Sequence, residues 1–499
     1  MKQKNRFSAI LEHLMQTVAL KNTTLAAALT YDVSYISKWL GGQLPSAKSE
    51  KAIMRNIAHC VVTQGSEEGV QTLKQDYRVD TTEDLEDAIY DNLVIECAYA
   101  RNVQKDSENG IAPKTSYFPK LDMRQYLERM RHPVLRRIKS LNIMAMMDLM
   151  SMDREYRMQF VRIENGISTK RWDYPDVHFS MVIDLSSIRK DYVYDTVFLL
   201  NMLSDMSSLD FKLYGTRYAF GRAIFAVEDE FCISAMLTHT QKCLSVVVSE
   251  DEEHAKILYR SVESQCSRER LLVRPMQMDE MLTGNNYARS LISTNQRLMI
   301  GHATEHLLSP ALLEEIIGLL NGHLAKRVDG NHLRWIHSLS NRRFQEQPVK
   351  ILVYESALSE FIVNGRLDFY NLNVTLTPRQ RLDYIRNFQD MLKQNDNIQI
   401  RLIYGPLFPD FQYNADQCAF FSDGASYLRL SAENRDENKV FAVNTPEMHD
   451  VFDHFFAEVW DNHQKMVVSD RENILKYIDH IAQQAAIIAG LENDTAQEC

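Results

Sequence analysis

The sequence lacks the short glycine-containing motifs that mark common nucleotide-binding and hydrolytic enzymes. Its 499 residues contain no GxxxxGK[ST] loop, no GxGxxG loop and no GxSxG elbow. The first two motifs place backbone amides around phosphate groups, and the third exposes a nucleophilic serine. These three kinds of site are therefore excluded, and the sequence indicates no catalytic residue.

Cysteine is sparse and scattered. No CxxC pair occurs among the seven cysteines, and the 15 histidines show no metal-ligand spacing. Zinc sites and disulfide frameworks both need cysteines at characteristic spacings. We therefore expect no metal, no cofactor and reduced, buried thiols in a cytoplasmic protein. The cysteines are Cys60, Cys97, Cys232, Cys243, Cys266, Cys418 and Cys499.

Long apolar runs are also missing. No stretch approaches the ~18 residues that cross a bilayer, and the N-terminal letters MKQKNRF lead into an amphipathic pattern and not a signal peptide. With 45% hydrophobic and 25% charged residues, the composition is that of an ordinary globular chain. We expect no membrane partner and about two to four domains.

The most informative stretch is residues 23–46, TTLAAALTYDVSYISKWLGGQLPS. It predicts two short helices joined by a tight turn at Thr30-Tyr31-Asp32. Thr24 is the predicted N-cap of the first helix, and Asp32 or Ser34 that of the second. The inward-facing residues of the two helices are Leu25, Ala26, Leu29, Ile36, Trp39 and Leu40.

Further helices are predicted on both sides of this pair. Gly41-Gly42 ends the second helix, because glycine accepts the left-handed conformation of a helix terminus, and Pro45-Ser46 opens the next one. Apolar spacing predicts a preceding helix at Arg6–Leu20 and a following helix at Ala47–Cys60. The four helices together would enclose a small core.

Two short helices joined by such a turn form the DNA-reading helix-turn-helix, whose second helix lies in the major groove. Serine hydroxyls can bond to base edges, a lysine suits guanine or phosphate, and valine can contact a thymine methyl. The predicted DNA-binding residues are Val33, Ser34, Tyr35, Ser37 and Lys38 on the second helix, with Thr24 and Lys48 placed for phosphate contacts.

Charge distinguishes this segment from the rest of the chain. Residues 1–60 hold eight Lys and Arg against three Asp and Glu, a net charge of +5. The whole chain carries −11, so the remaining residues carry −16. A basic module on an acidic body is the electrostatic pattern of a DNA-binding protein.

The run LAAALTYDVSYISKWLGGQLPS resembles the Cro/C1-type (lambda-repressor-like, XRE) family. Leu25-Ala26 match its leucine-alanine pair, Ser34-x-Ile36-Ser37 its recognition helix, and Gly42 with Pro45-Ser46 its exit turn. The chain departs from the family at Leu40, where glutamate is frequent, and in a Gly-to-Pro spacing that is one residue shorter. The resemblance implies a helix-turn-helix domain over residues 1–64 that binds double-stranded DNA as a homodimer.

The next segment, residues 65–155, is predicted to be a helical connector that also serves dimerisation. Thr82-Glu83-Asp84 is a helix start, and the polar residues Lys105–Ser116 form a predicted linker. A Met-rich helix is predicted from Asp122 to about Asp153, and such a stripe favours core or a dimer surface.

From residue 156 the pattern alternates between strand and helix, which indicates α/β folding with parallel strands. Two regions, beginning at Asp210 and Asn397, each show strand, hairpin, strand and a final amphipathic helix. We interpret them as a diverged duplication, with halves at 156–345 and 346–499 and a helical part at 277–345. Two unrelated α/β pieces are the alternative. The predicted strands are Met158–Ile163, His178–Ile183, Phe211–Tyr214, Ala223–Val227, Leu244–Val248, Lys350–Tyr354, Ile398–Tyr404, Cys418–Phe421, Tyr427–Leu430 and Val440–Val443.

The second region resembles one half of a phospholipase D-type domain, a fold built from two such halves. Ser422-Asp423-Gly424, the following hairpin to Asn434 and the helix ending Phe456-x-x-Val459-Trp460 carry the likeness. The family's chemistry needs a His nucleophile and a Lys at HxKxxxxD spacing, and in this frame only the aspartate is retained. The resemblance therefore implies an inert domain that senses a small-molecule effector. The residues in the frame are Asp416, Cys418 and Asp423 in one half and Arg222, Ile224 and Asp229 in the other.

Two other sets of residues were considered as sites. One literal HxKxxxxD occurs at His463, Lys465 and Asp470, but it follows a helix and lacks both the expected strand and a second copy. Asp184 and Asp205, at a strand end and a helix end, either line a pocket or act as caps, and we favour caps.

The sequence thus predicts a multidomain chain with an all-α helix-turn-helix domain and a duplicated α/β, phospholipase D-like sensor body. The predicted function is that of a sequence-specific transcriptional regulator without enzymatic activity. Two alternatives remain. One is a DNA-tethered phosphodiesterase or nuclease, and the other is an adaptor whose helix-turn-helix binds a protein.

Overall fold

The computed structural model describes residues 5–77, 79–108, 115–136, 140–161, 177–186, 191–206, 209–239, 242–324, 328–408, 417–430, 439–462 and 465–497. Its contacts divide the chain into two compact units. The first comprises residues 1–181, 208–211 and 219–267, and the second comprises residues 182–207, 212–218 and 268–499.

The first unit opens with a group of helices. Helices α1, α2, α3 and α4 bury apolar residues against one another, and the long α6 packs along α1 and α4. Phe7, Leu11, Leu25, Ile36 and Ile57 are all fully or almost fully buried in this core. The helices are α1 (Arg6–Thr17), α2 (Asn22–Leu29), α3 (Val33–Leu40), α4 (Glu50–Gln64), α5 (Glu67–Asp76) and α6 (Thr82–Glu108).

The caps of these helices confirm some predictions and correct others. Asp32 caps α3, its side chain accepting from the Ser34 amide at 2.8 Å, as predicted. Thr24 is not an N-cap, because α2 already begins at Asn22 after Lys21. A turn over residues 47–49 precedes α4, so Pro45-Ser46 does not open it directly.

The next part of the chain contains an eight-stranded sheet, in the order β1-β7-β6-β5-β2-β3-β4-β8. Strand β2 is buried almost throughout. The helices and strands of this part of the chain are β1 (Thr115–Asp122), α7 (Met123–Met130), β2 (Leu141–Met147), α8 (Arg154–Val161), β3 (Val177–Ile183), α9 (Tyr192–Asp205), β4 (Asp210–Gly215), β5 (Arg222–Val227), β6 (Phe231–Leu237), β7 (Lys242–Ser249), α10 (Glu252–Cys266) and β8 (Arg270–Leu271).

The second unit contains another eight-stranded sheet, ordered β18-β14-β11-β10-β15-β16-β17-β9. A separate hairpin pairs β12 (Arg366–Phe369) with β13 (Leu372–Thr375). The other elements are β9 (Val273–Gln277), α11 (Met278–Thr283), α12 (Asn286–Ile292), β10 (Gln296–Ile300), α13 (Pro310–Leu324), α14 (Gly330–Glu346), β11 (Val349–Tyr354), α15 (Glu355–Asn364), α16 (Pro378–Gln394), β14 (Ile398–Ile403), β15 (Cys418–Phe421), β16 (Tyr427–Arg429), β17 (Lys439–Val443), α17 (Pro446–Asn462), β18 (Val467–Val468) and α18 (Arg471–Gln497).

The two sheets follow one strand order. Read from β1, the first runs β1-β7-β6-β5-β2-β3-β4; read from β9, the second runs β9-β17-β16-β15-β10-β11-β14. Counted along the chain from the first strand of each, both therefore read 1-7-6-5-2-3-4. A helix follows the seventh strand in both cases, α10 in the first and α17 in the second.

Both sheets are mixed, which corrects the expectation of parallel strands. In the second sheet β10, β11 and β14 are parallel, whereas β15, β16 and β17 form antiparallel pairs. In the first, β5, β6 and β7 are likewise antiparallel. Consecutive strands joined by short loops must run antiparallel, because a parallel pair needs a long crossover.

Three stretches differ from their predicted secondary structure. The Met-rich run predicted as one helix over 122–153 contains α7 and the central strand β2. The predicted strand Met158–Ile163 belongs to α8 as far as Val161, and its last two residues lie outside the described part. The helical region 277–345 contains β10. Short apolar runs buried on both faces carry no period that separates strand from helix.

The other predicted strands are confirmed with shifts of one or two residues, and the long helices near 190–206, 251–265, 377–394, 446–464 and 469–490 are present. The predicted linker is helical at its start, since α6 extends to Glu108, and most of the rest lies outside the described residues. Among the described helices, none is both long and apolar enough to span a bilayer.

Glycine at position 69 allows α5 to approach the end of α1 closely. A Cβ there would lie 2.4 Å from the Thr17 carbonyl oxygen and 2.6 Å from the Val18 Cα. We predict that Gly69→Ala destabilises this contact by about 1–3 kcal/mol, seen as faster hydrogen exchange in residues 66–76. Gly318→Ala is the control, because no atom lies within 4 Å of its Cβ position and alanine favours a helix by about 0.5–1 kcal/mol. Equal exchange in α5 for both variants would contradict the prediction.

Candidate nucleic-acid interface and a buried ionic cluster

Helix α3 is held in place by its inner face. Ile36 and Trp39 are buried, and α3 packs against both α1 and α2. The Tyr31 ring, in the turn before the helix, contacts the rings of Tyr35 and Trp39 edge to face, each at a centroid distance of 5.5 Å. These contacts fix the direction of α3 without using its outer face.

The outer face of α3 presents the residues predicted from the sequence. Val33 is 37% and Tyr35 44% exposed, unusually high values for an apolar and an aromatic side chain in this domain. Ser34, Ser37 and Lys38 are exposed beside them, so the structure brings all five onto one accessible surface. Of the two predicted phosphate contacts, Lys48 is exposed and Thr24 half-buried in α2.

Two side-chain contacts organise this face further. The Ser37 hydroxyl donates to the Val33 carbonyl at 3.2 Å. The Lys38 ammonium lies 5.1 Å from the centroid of the Tyr35 ring, within range of a cation–π contact. Both residues keep their polar ends at the surface, where a base edge or a phosphate can reach them.

The far end of α3 is fastened by a residue that the sequence reading missed. Asn5 caps α1 by accepting from the Ser8 amide at 2.9 Å, and its side-chain amide donates to the Gly42 carbonyl at 2.7 Å. Gly42 has a φ of 96°, which suits glycine. One asparagine thus ties the start of α1 to the turn that ends α3.

Positive charge near this surface is not neutralised. Lys21, Lys38, Lys48 and Lys51 are exposed, and within the described residues none of them is in an ion pair. The nearby carboxylate of Glu50 is already engaged by Arg101, whose guanidinium also donates to the Pro45 carbonyl at 2.7 Å. Unpaired lysines around a helix-turn-helix are suited to phosphate contacts.

A second feature lies inside the second unit, where a fully buried guanidinium meets two carboxylates. Arg429, on β16, donates to Glu305 with both terminal nitrogens, at 2.7 and 2.5 Å. Its Nη1 also lies 3.4 Å from the Asp368 carboxylate. Burial disfavours a charged Glu305, but the adjacent Arg429 outweighs it and lowers the pKa of that carboxyl group.

Aromatic and histidine side chains complete the cluster. The Tyr287 hydroxyl donates to Glu305 and lies 3.1 Å from His306 Nε2. The Thr304 hydroxyl is 3.2 Å from the other ring nitrogen of His306. Burial lowers the pKa of His306 to about 4, so this imidazole is neutral at pH 7 despite its carboxylate neighbour.

The cluster continues to a cysteine. Cys418 Sγ lies 3.5 Å from His302 Nδ1, and His302 Nε2 lies 3.0 Å from an Asp368 oxygen. Burial opposes the imidazolium, yet the neighbouring Cys418 and Asp368 raise the pKa of His302 to about 10. A cysteine, a histidine and an aspartate in this order can form a nucleophile, but Cys418 is only 1% exposed. We therefore assign the arrangement a structural role.

The sequence reading missed this cluster because its members come from separate segments around β10, β12, β15 and β16. The only signal was Cys418, which the phospholipase D-type frame had placed at the lysine position. Asp416, at the histidine position, lies outside the described residues.

The remaining residues of that frame have ordinary partners. Asp423 accepts from the Thr294 hydroxyl at 2.7 Å and from the Asn295 amide at 3.2 Å. Asp229 lies 3.4 Å from Lys256, and Ile224 lies on β5 beside an exposed Arg222. Among the described residues of the first half, the frame positions at Arg222, Ile224 and Asp229 therefore contain no histidine or lysine.

The structure describes four of the five residues in the other two candidate sets. Of the literal motif, His463 lies outside the described residues, Lys465 is exposed, and Asp470 accepts from the Asn473 amide at 3.0 Å near the start of α18. Asp184 accepts from the Ser186 amide at 2.8 Å and also lines a cleft. Asp205 does not line it; burial raises its pKa to about 6.

Comparison with known proteins adds no assignment. No protein-family model matches the chain, and no curated protein matches it.

The buried guanidinium gives a stability prediction. Arg429→Met would leave the buried Glu305 carboxylate without its guanidinium partner, so we expect a loss of about 3–5 kcal/mol in unfolding free energy. Arg342→Met is the control, because Arg342 pairs with Glu346 at the exposed surface, where a pair contributes about 0–1 kcal/mol. Urea denaturation of both variants checks this. A loss no larger for Arg429→Met than for the control would contradict it.

His306 gives a pH prediction. Its folded pKa of about 4 lies below its ordinary value of 6.5, so its contribution to stability is present above pH 6.5 and lost as the pH falls towards 4. The full loss is about 3 kcal/mol. We expect the wild-type protein to lose more unfolding free energy between pH 6.5 and 4.5 than His306→Gln, which has no imidazole to protonate. Parallel pH profiles would show that the buried imidazole does not titrate in this range.

Proposed function

We propose that the chain is a sequence-specific, DNA-binding transcriptional regulator. The observation that carries the proposal is the outer face of α3, where Ser34, Tyr35, Ser37 and Lys38 are exposed while the inner face is packed. This is the arrangement in which a recognition helix enters the major groove. The unpaired lysines around it and the net positive charge of residues 1–60 supply the electrostatic part of binding.

The regulator acts as a dimer in this proposal. One helix-turn-helix of this size buries too little surface for tight specific binding. Two copies related by two-fold symmetry would read half-sites about one helical turn, ~34–36 Å, apart. The operator is then a palindrome, and its half-site spacing reports the geometry of the dimer.

The α/β part is proposed to be a duplicated, phospholipase D-like sensor body. The identical strand orders of the two sheets support the duplication, as does the helix after the seventh strand in each. Ile224 on β5 and Cys418 on β15 stand where the family's chemistry needs lysine. A body that keeps the fold and not the catalytic residues suits a cytoplasmic regulator that senses an effector, since a ligand shifts populations by differential binding.

The first experiment is selection of DNA from a random pool with the full-length protein at two salt concentrations. Enrichment of a two-fold symmetric site, weaker at higher salt, is the expected result. Enrichment of an asymmetric site would contradict the dimer and leave DNA reading in place. No enrichment at either salt would contradict the regulator and favour an adaptor whose helix-turn-helix binds a protein.

The selected site then allows a mutational test. Ser34→Ala with Lys38→Ala removes a base contact and a basic contact, so we expect affinity to fall about 10- to 100-fold and the salt dependence to become shallower. Ser261→Ala with Lys476→Ala removes the same groups from exposed positions elsewhere. Fluorescence anisotropy on the selected duplex measures both. Equal affinity in the two double variants would show that α3 does not read the site.

A further inference from the structure

A cleft of about 730 Å³ opens in the second unit, and all of its lining residues belong to that unit. Its volume falls within the ~300–1,000 Å³ typical of small-molecule sites. The segments after β3 and β4 form one side, the residues around β8 a second, and the start of α17 a third. Neither Asp423 nor the buried ionic cluster contributes to it.

The backbone is shaped to place arginines at this cleft. Gly215, at the end of β4, pairs with Arg270 on β8. A Cβ at Gly215 would lie 2.6 Å from a methyl carbon of Leu272, so the Leu272 side chain packs directly against the Gly215 backbone. Leu272 continues the contact, donating its amide to the Leu213 carbonyl at 2.9 Å. Arg270 is therefore held at the cleft by a fixed backbone.

Three arginines line the cleft, namely Arg217, Arg268 and Arg270. Within the described residues none of them is in an ion pair or a side-chain hydrogen bond, although Arg334, Arg342 and Arg429 of the same unit are all paired. Three guanidiniums offer more donors than one carboxylate accepts, whereas a phosphate group has a larger charge and three terminal oxygens. Planar guanidiniums bind phosphate through paired hydrogen bonds.

The other sides of the cleft have a different character. Glu447 and Asp450, on the first turns of α17, are exposed, and their carboxylates can accept hydrogen bonds; that of Asp450 lies 3.4 Å from His454 Nδ1. Asp184 and Glu269 are already used, by the Ser186 amide and the Thr216 hydroxyl respectively. Tyr218, 65% exposed at the rim, offers an aromatic face. This wall suits groups that donate hydrogen bonds and a planar ring.

We propose that this cleft binds an organic phosphate, with the phosphate on Arg217, Arg268 and Arg270 and hydroxyl or amino groups directed towards Glu447 and Asp450. The ligand class is a phosphorylated small molecule with a planar ring, of which a nucleoside monophosphate is the simplest form. The inference deepens the proposed function, because it names the class of effector for the sensor body.

Calorimetric titration of the full-length protein tests the proposal with four probes: AMP, inorganic pyrophosphate, adenosine and citrate. AMP and pyrophosphate should bind with one site per chain, adenosine at least tenfold more weakly than AMP, and citrate more weakly than pyrophosphate. Arg268→Ala with Arg270→Ala should weaken AMP binding at least tenfold, because two of the three guanidiniums that bind the phosphate are removed.

Arg366→Ala with Arg379→Ala is the matched control, since both arginines are exposed and lie outside the cleft. It should bind AMP as the wild-type protein does. The proposal is overturned if AMP and pyrophosphate fail to bind at millimolar concentration, if both double variants bind AMP equally, or if citrate binds more tightly than either phosphate probe.

The titration contains no DNA, so its outcome is independent of the helix-turn-helix. Phosphate binding without any selected DNA site would leave the cleft assigned and contradict the regulator. A selected DNA site without phosphate binding would support the regulator and overturn the assignment of the cleft. Where both are found, a change in DNA affinity on adding AMP, absent in Arg268→Ala with Arg270→Ala, measures the coupling between the two sites.

Discussion

The guanidinium of Arg429 is fully buried, and the second unit is arranged around its charge. Glu305, which follows β10, and Asp368, on β12, provide the two carboxylates, and Tyr287 adds a hydroxyl. A buried charge is tolerated only where partners and hydrogen bonds compensate for lost hydration. The cluster is therefore complete only when β10, β12 and β16 lie in one fixed arrangement relative to one another. Cys418 and His302 extend the cluster to β15, so the residue at the lysine position of the phospholipase D-type frame contributes to the interior.

The two sheets have the same strand order, and residues of the buried ionic cluster and of the cleft lie on their strands and strand ends. In each sheet a strand that is buried along almost its whole length, β2 or β10, pairs with the first strand of the hairpin that follows later in the chain. Loops at the ends of β3 and β4 are thereby left at an edge, where Thr216, Arg217 and Tyr218 line the cleft. The cleft thus lies at strand ends, the usual location of binding sites in α/β sheets.

In helix α3 the residues that pack into the core and the residues that face solvent are on different sides of one short helix. Ile36 and Trp39 hold α3 in the core, and Asn5 fixes its end through Gly42. Because these contacts suffice to position the helix, Ser34, Tyr35 and Lys38 remain available at the surface. The residues that position α3 are thus not the exposed ones, so the exposed residues can change without loss of the fold.

Local signals in the sequence were enough to predict the helices α1 to α4, the turn at Thr30–Asp32, two candidate caps for α3 that include the observed Asp32, and most strands of the α/β part. Each depends on residues close together in the chain, on apolar period, or on capping chemistry. Tertiary structure alone decided that the Met-rich run is the central strand β2, because a short run buried on both faces has no distinguishing period. The tertiary structure also decided which residues form the ionic cluster and which three arginines line the cleft. Those groups are far apart in sequence, and only the pairing of distant strands brings Arg429 to Glu305 or Arg270 to Gly215.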